Sequence, residues 1–182
     1  MAANETHHVL PRPNGLAPAR VLIVRAPYYK DIADQLLAGA QAACDAAGVA
    51  HELIDVPGAL EVPTTVALAD RSGRFDAYVA LGCVIRGETT HYETVCNDSS
   101  RGLTLLGLQG LCIGNGILTV ENRDQAMARA EAHGQNKGGG AADAALHLLA
   151  AKRRFAPARP GDRDLPEGSF RMAGTPQNKD MS

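Results

Sequence analysis

The sequence contains no tryptophan, and aromatic residues make up only 4% of it. It has no excess of either charge: the net charge of -2 provides no attraction for nucleic acid and excludes dedicated DNA binding. Its longest apolar runs, such as residues 77–84, are far too short to cross a bilayer. Residues 1–20 lack the apolar segment of a signal peptide. We therefore expect a cytoplasmic protein with neither a nucleic-acid nor a membrane partner.

Metal-binding and nucleotide-binding patterns are also missing. The four cysteines, at positions 44, 83, 96 and 112, form no CxxC pair and have no histidine at metal-ligand spacing. They are interpreted as small buried apolar side chains, and no metal or redox cofactor is expected. The GNG at 114–116 lacks the third glycine of a dinucleotide fingerprint, and GxxxxGK[ST] does not occur.

The 182 residues suffice for one domain, and apolar strand patterns alternate with helical ones. Gly48 is placed to end the first helix, and Pro63 is tolerable only in the first turn of the second. The predicted strands cover 19–26, 51–56, 75–87 and 111–119, and the predicted helices cover 31–47, 59–73, 90–108, 122–132 and 139–154. We expect one domain over 20–155, an N-terminal arm over 1–19 that could pair with a neighbouring subunit, and a poorly ordered C-terminal tail over 156–182.

Strands that are apolar throughout need cover on both faces, and strand–helix–strand alternation favours parallel pairing. The predicted fold class is therefore α/β, a flavodoxin-like three-layer αβα sandwich around a four-stranded parallel sheet. In such sheets ligands bind beyond the carboxyl ends of the strands. That rule directs the search for a site to the four segments that follow the strands.

Three of these segments carry candidate site residues. Tyr28 follows the first strand, although a tyrosine there could equally be a ring that caps the core. Glu61 follows the second, where a carboxylate could serve the helix dipole alone. The third strand runs into GETTH, residues 87–91, at a helix start suited to an anion such as phosphate. His91 there could transfer protons near neutral pH, whereas a lone histidine is more often structural.

Two basic residues lie further along the chain. Arg129 is either a solvated surface charge or a guanidinium that forks onto a phosphate. Lys137 precedes three glycines that open the last helix, a pattern that resembles an anion-binding helix start.

Together, VPGALEVP, LGCVIRGETTHYETVC, GILTVEN with Arg129, and NKGGGAA resemble the lumazine synthase family over residues 20–155. The resemblance implies a transferase of riboflavin biosynthesis without a cofactor. Such an enzyme condenses 5-amino-6-(D-ribitylamino)uracil with 3,4-dihydroxy-2-butanone 4-phosphate to 6,7-dimethyl-8-ribityllumazine, releasing phosphate and water.

The resemblance also implies roles for individual residues. His91 would transfer protons, and Tyr28 would stack on the pyrimidine. The remaining substrate-binding residues would be Ala59, Leu60 and Glu61 at the ribityl chain, Val84 and Ile85 with the preceding Cys83 at the pyrimidine edge, Glu88, Thr89 and Arg129 at the phosphate, and Lys137 near the pyrimidine. Asn115 stands where many relatives have Phe, so an amide replaces a ring that closes over the substrate.

The implied assembly is a homo-oligomer with sites shared between neighbours, either a pentamer or a multiple of it up to a sixty-subunit shell. Riboflavin synthase is an implied partner. Two alternatives stay open at this point: a flavin- or lumazine-binding protein without turnover, and a shell-forming scaffold of the same fold.

Overall fold

A computed structural model of the chain describes residues 10–156. The predicted C-terminal tail from 157 onwards, and residues 1–9 of the predicted arm, lie outside this range. The elements are strands β1 (Arg20–Arg25), β2 (Ala50–Asp55), β3 (Ala77–Ile85) and β4 (Ile113–Val120), and helices α1 (Lys30–Ala46), α2 (Glu61–Asp70), α3 (His91–Leu108), α4 (Arg123–Ala130) and α5 (Lys137–Arg154). All nine predicted elements are present, within a few residues of the predicted ends.

The four strands form one parallel sheet in the order β2-β1-β3-β4. Helices α1, α4 and α5 cover one face, around a core that includes Ile23 and Leu146. Helices α2 and α3 cover the other face, where Val62, Val66 and Leu103 pack beneath them. The fold class, a three-layer α/β sandwich on a four-stranded parallel sheet, is confirmed.

The expectation that every strand is covered on both faces is wrong for β2. Leu53 and Ile54 of this strand are 40% and 43% exposed. The strand order explains the difference, because β2 is an outer strand of the sheet and pairs only with β1. A short apolar run therefore does not distinguish an outer strand from a central one.

The two local signals at helix ends are confirmed. Gly48 has a φ of +65° directly after α1, where a left-handed residue commonly ends a helix. Pro63 lies in the first turn of α2, where its missing N–H costs no helical hydrogen bond.

The first two of the three glycines in NKGGGAA are required by close contacts, one with another helix and one with the cap of α5. A Cβ on Gly138 would lie 2.0 Å from the backbone oxygen of Leu36 in α1. A Cβ on Gly139 would lie 2.5 Å from the side chain of Asn136, which accepts a hydrogen bond from the Gly139 N–H. Gly140 alone faces open space.

The described part of the predicted arm, residues 10–19, lies against its own chain. Arg12 is paired with Asp143 of α5 at 2.5 Å, and Leu16 is buried in the core. Arg153 donates a hydrogen bond to the Gly15 carbonyl. Over residues 10–156, no helix is long and apolar enough to span a membrane, and no group of His, Cys, Asp and Glu in that range could hold a metal ion.

Candidate active site

Two cavities contain most of the predicted site residues. The first, here called the strand-end cavity, has a volume of about 420 Å³ and lies where β1, β2 and β3 end. Its lining includes Tyr28, Ala59, Leu60, Glu61, Cys83, Val84, Ile85, Thr89 and His91. The second, the edge cavity, has about 480 Å³ and lies between β4 and helices α4 and α5. Its lining includes Asn115, Arg129 and Lys137.

The two tyrosines of the first loop differ in their surroundings. The Tyr28 ring is 75% exposed, whereas Tyr29 packs against the core. The two rings meet edge to face with centroids 5.0 Å apart. Burial raises the pKa of Tyr29, with a smaller contribution from Tyr28. Tyr29 thus supports the exposed Tyr28 ring, which is the one available for stacking on a flat ligand.

The turn before α2 places a carboxylate over a glycine. The Gly58 carbonyl accepts the Glu61 N–H at 3.3 Å, and a Cβ on Gly58 would lie 3.0 Å from Glu61 Oε2. The Glu61 carboxylate therefore folds back over the turn, beside the N–H groups that a helix start leaves unpaired. This arrangement offers both a donor and an acceptor to a polyhydroxylated chain.

The segment GETTH supplies the far wall of the strand-end cavity. Gly87, Thr89 and His91 line it, while Glu88 is exposed at the turn and does not. Thr90 occupies the N-cap position of α3 without forming a side-chain cap hydrogen bond. Cys83 closes the floor, and burial raises the pKa of its thiol to about 11, so the thiol stays protonated.

Sequence reasoning missed several lining residues, among them Tyr92 and Val95. They lie one and four residues after His91 in α3. Once α3 is predicted, the helical period alone places residues four apart on one face and could have identified Val95. Pro57 and Gly58 also line the cavity, as turn residues whose backbone approaches it closely.

The edge cavity carries the positive charge. Arg129 donates to the Gln125 carbonyl of its own helix at 3.0 Å. Within residues 10–156, neither Arg129 nor Lys137 forms an ion pair with a carboxylate. Two unpaired cations at one cavity are suited to a phosphate dianion.

Asn115 has a defined orientation in the edge cavity. Its Oδ1 accepts the Ile117 N–H at 3.0 Å, which fixes the amide because a backbone N–H needs an acceptor. The amino group is left as a donor without a protein acceptor among the described residues. A carbonyl or hydroxyl oxygen of a ligand could accept from it.

The structure thus separates the predicted site residues into two groups within one chain. Among the described residues, none that lines the strand-end cavity is a lysine or an arginine. The aromatic ring, the carboxylate and the histidine are in one cavity, while the unpaired cations are in the other. A site for an anionic substrate would need both.

Comparisons with known proteins agree on one family. The family model described as 6,7-dimethyl-8-ribityllumazine synthase matches residues 18–153. A protein of that name from Jannaschia sp. (strain CCS1) is 55% identical over 156 residues, covering 86% of this chain and 88% of the relative. One from Sphingopyxis alaskensis is 61% identical over 137 residues, covering 75% and 97%. One from Methylobacterium radiotolerans is 52% identical over 163 residues, covering 88% and 99%.

Proposed function

The chain belongs to the 6,7-dimethyl-8-ribityllumazine synthase family, and we propose that its active site forms where the strand-end cavity of one chain meets the edge cavity of an adjoining chain. The protein is a transferase of riboflavin biosynthesis. It condenses 5-amino-6-(D-ribitylamino)uracil with 3,4-dihydroxy-2-butanone 4-phosphate and releases the lumazine, phosphate and water. The observation that carries the proposal is the separation of the cations from the ring, carboxylate and histidine.

The position of the edge cavity supports this assembly. It is built on β4, the outer strand opposite β2, and therefore lies at the side of the sheet where another chain can approach. Contacts of this kind pair two different surfaces, and repeated by rotation they close into a ring. We propose a pentamer or a multiple of it, up to a closed shell. Riboflavin synthase, which would consume the lumazine, is the proposed partner.

Each cavity would bind a different part of the reactants. Tyr28 would stack on the pyrimidine, whose edge would meet Cys83, Val84 and Ile85. Ala59, Leu60 and Glu61 would hold the ribityl chain at the turn before α2. From the adjoining chain, the Asn115 amino group would donate to the pyrimidine substrate, and Lys137 would lie near it.

The phosphate would lie between the two chains. Thr89 belongs to the loop before α3, and Arg129 of the adjoining chain would supply the charge. Glu88, which is exposed at the same turn, would approach the phosphate only through its backbone, since a carboxylate repels it. The binding energy of this group would fix the four-carbon ketone against the pyrimidine.

The reaction needs two reactants in register and a proton carrier. An amine of the pyrimidine attacks the ketone, and loss of water gives an imine. Removal of a proton from the adjacent carbon then lets phosphate leave, and the second amine closes the ring with loss of another water. His91 would carry these protons, and the cavity would hold the two reactants at a high effective concentration.

A direct assay tests the proposal. Mixing both substrates with the protein should generate lumazine fluorescence well above the uncatalysed rate. Arg129→Ala should raise KM for the phosphorylated ketone roughly tenfold to a hundredfold, because a charge-assisted hydrogen bond contributes about 1.5–3 kcal/mol. Arg71→Ala, an exposed arginine at the end of α2, is the control that should leave KM unchanged.

The alternatives would give different results. Tight binding of riboflavin or the lumazine without turnover would indicate a binding protein that has lost activity. Large particles that neither bind these ligands nor turn over would indicate a scaffold. An unchanged KM in Arg129→Ala would remove the edge cavity from the site.

A further inference from the structure

Arg86 lies directly after β3 and is absent from the lining of both cavities, yet it contacts Tyr92, which lines the strand-end cavity. Its N–H donates to the Val120 carbonyl at 2.9 Å, which extends the β3–β4 pairing by one residue. Its Nε donates to Glu121 at 2.8 Å, and the guanidinium also pairs with Glu93. Its Cζ lies 4.1 Å from the centroid of the Tyr92 ring.

These contacts concentrate on the first turn of α3. Tyr92 and Glu93 are the two residues that follow His91, so the guanidinium holds one by its ring face and the other by its carboxylate. Glu93 is the third residue of the helix, from which a glutamate commonly reaches back to the N-cap N–H. Here its carboxylate pairs with Arg86 instead.

Little else in the described chain fixes this turn. Thr90 provides no side-chain cap, and a Cβ on Gly87 would meet nothing within 4 Å. The buried residues of α3 are Ser99 and Leu103, both at least eight residues beyond His91. The first turn therefore has no core anchor of its own, and the rotation of His91 about the helix axis depends on contacts outside the core.

We propose that Arg86 is a positioning residue: through Tyr92 and Glu93 it sets the orientation of the first turn of α3, and thereby aims His91 at the reacting atoms. This inference rests on the proposed role of His91 in proton transfer. Arg86 itself does not line the strand-end cavity, so we expect it to make no contact with the substrate. Its loss should lower kcat, because proton transfer depends on geometry, and leave both KM values nearly unchanged, because the binding contacts remain.

The experiment is a double-mutant cycle with Arg86→Met and His91→Ala, measured as kcat above the uncatalysed rate. Arg86→Met keeps the hydrocarbon stem and removes the guanidinium. In the wild-type background we expect roughly a tenfold loss of kcat, on the scale of a small misplacement of a catalytic group. In the His91→Ala background the same change should have less than about a twofold effect, because residues that act through one another are not additive. Arg86→Lys should retain intermediate kcat, since an ammonium keeps the charge without the planar fork.

Arg74 provides a matched control. It pairs with Glu52 at 2.9 Å and lies over the Phe75 ring at 5.1 Å, so it forms the same two kinds of contact before β3 begins, away from the cavity. Arg74→Met should leave kcat unchanged. Circular dichroism and particle mass would establish that each variant folds and assembles.

The outcomes separate the two proposals. If His91→Ala alone leaves kcat at the wild-type value, the proposed role of His91 fails and the role of Arg86 fails with it. If His91→Ala lowers kcat but Arg86→Met costs the same factor in both backgrounds, only the inference about Arg86 is overturned. Equal losses in Arg74→Met and Arg86→Met would also overturn it, as would an Arg86→Met variant that raises KM without changing kcat.

Discussion

Gly138 and Gly140 are two residues apart in α5, and replacing each with alanine should change stability in opposite directions. A Cβ at position 138 would lie 2.0 Å from the Leu36 carbonyl oxygen, and 2.7 and 2.8 Å from the carbonyl carbon and Cα of that residue. These atoms are backbone within α1, so no side chain can rotate to make room. At position 140 a Cβ would meet nothing within 4 Å.

The magnitudes follow from these contacts. Overpacking a well-filled core costs about 1–3 kcal/mol, and contact with a helix backbone belongs at the upper end of that range. Alanine in place of glycine within a helix contributes roughly 1 kcal/mol of stability. Gly138→Ala should therefore lose about 2 kcal/mol net. Gly140→Ala should gain about 0.5–1 kcal/mol.

Thermal unfolding followed by circular dichroism at one protein concentration measures both changes. For a chain of this size, 1 kcal/mol corresponds to a shift of about 2–4 °C in Tm. We expect Gly138→Ala to melt roughly 4–8 °C below wild type and Gly140→Ala to melt a few degrees above it. Similar Tm values for the two variants would refute the claim that Gly138 is required for the close approach of α1 and α5.

Two further predictions concern titratable groups. The Arg25 guanidinium donates to Asp55 at 2.8 Å and thereby lowers the pKa of that carboxyl, so the pair stabilises the fold above the ordinary carboxyl range. Asp55→Asn should lower the free energy of unfolding by about 1 kcal/mol at pH 7, since the carboxylate is half-exposed. This difference should shrink as the pH falls below about 4 towards the lowered pKa. Urea unfolding at several pH values would measure it, and a difference that grows in acid would contradict the prediction. The Cys83 thiol, with a pKa of about 11, should react slowly with iodoacetamide at pH 8, and about tenfold faster for each pH unit up to pH 10. Mass spectrometry would follow the modification, and rapid modification at pH 7 would contradict the raised pKa.

The order of elements was predictable because apolar periodicity is a local property. Residues such as Ile32, Leu36 and Ala40 of α1 recur at helical spacing, and all three are buried. The positions of Tyr28, Glu61 and His91 at one cavity were predictable for a related reason. Parallel strands end on the same side of a sheet, so segments that follow them converge whatever the order of the strands.

Other features depend on pairings that no local pattern encodes. The exposure of β2 follows from the strand order, which periodicity does not contain. The close approach of Gly138 to Leu36 joins residues about a hundred positions apart. Arg86 and Glu121 are 35 residues apart and meet only because β3 and β4 pair in the observed register. The helix contact of Gly138 was consequently missed, and the sequence pattern suggested only a resemblance to an anion-binding helix start.

The central claim, that each active site combines cavities from two chains, is tested most directly by mixing two impaired variants. One chain would carry Thr89→Ala with His91→Ala, and the other Arg129→Ala, with different affinity tags so that mixed assemblies can be isolated after co-expression. In a ring of randomly mixed subunits, about a quarter of the contacts join two intact cavities, so kcat/KM for the phosphorylated ketone should return to about a quarter of the wild-type value. Mixed assemblies no more active than the separate variants would contradict the account.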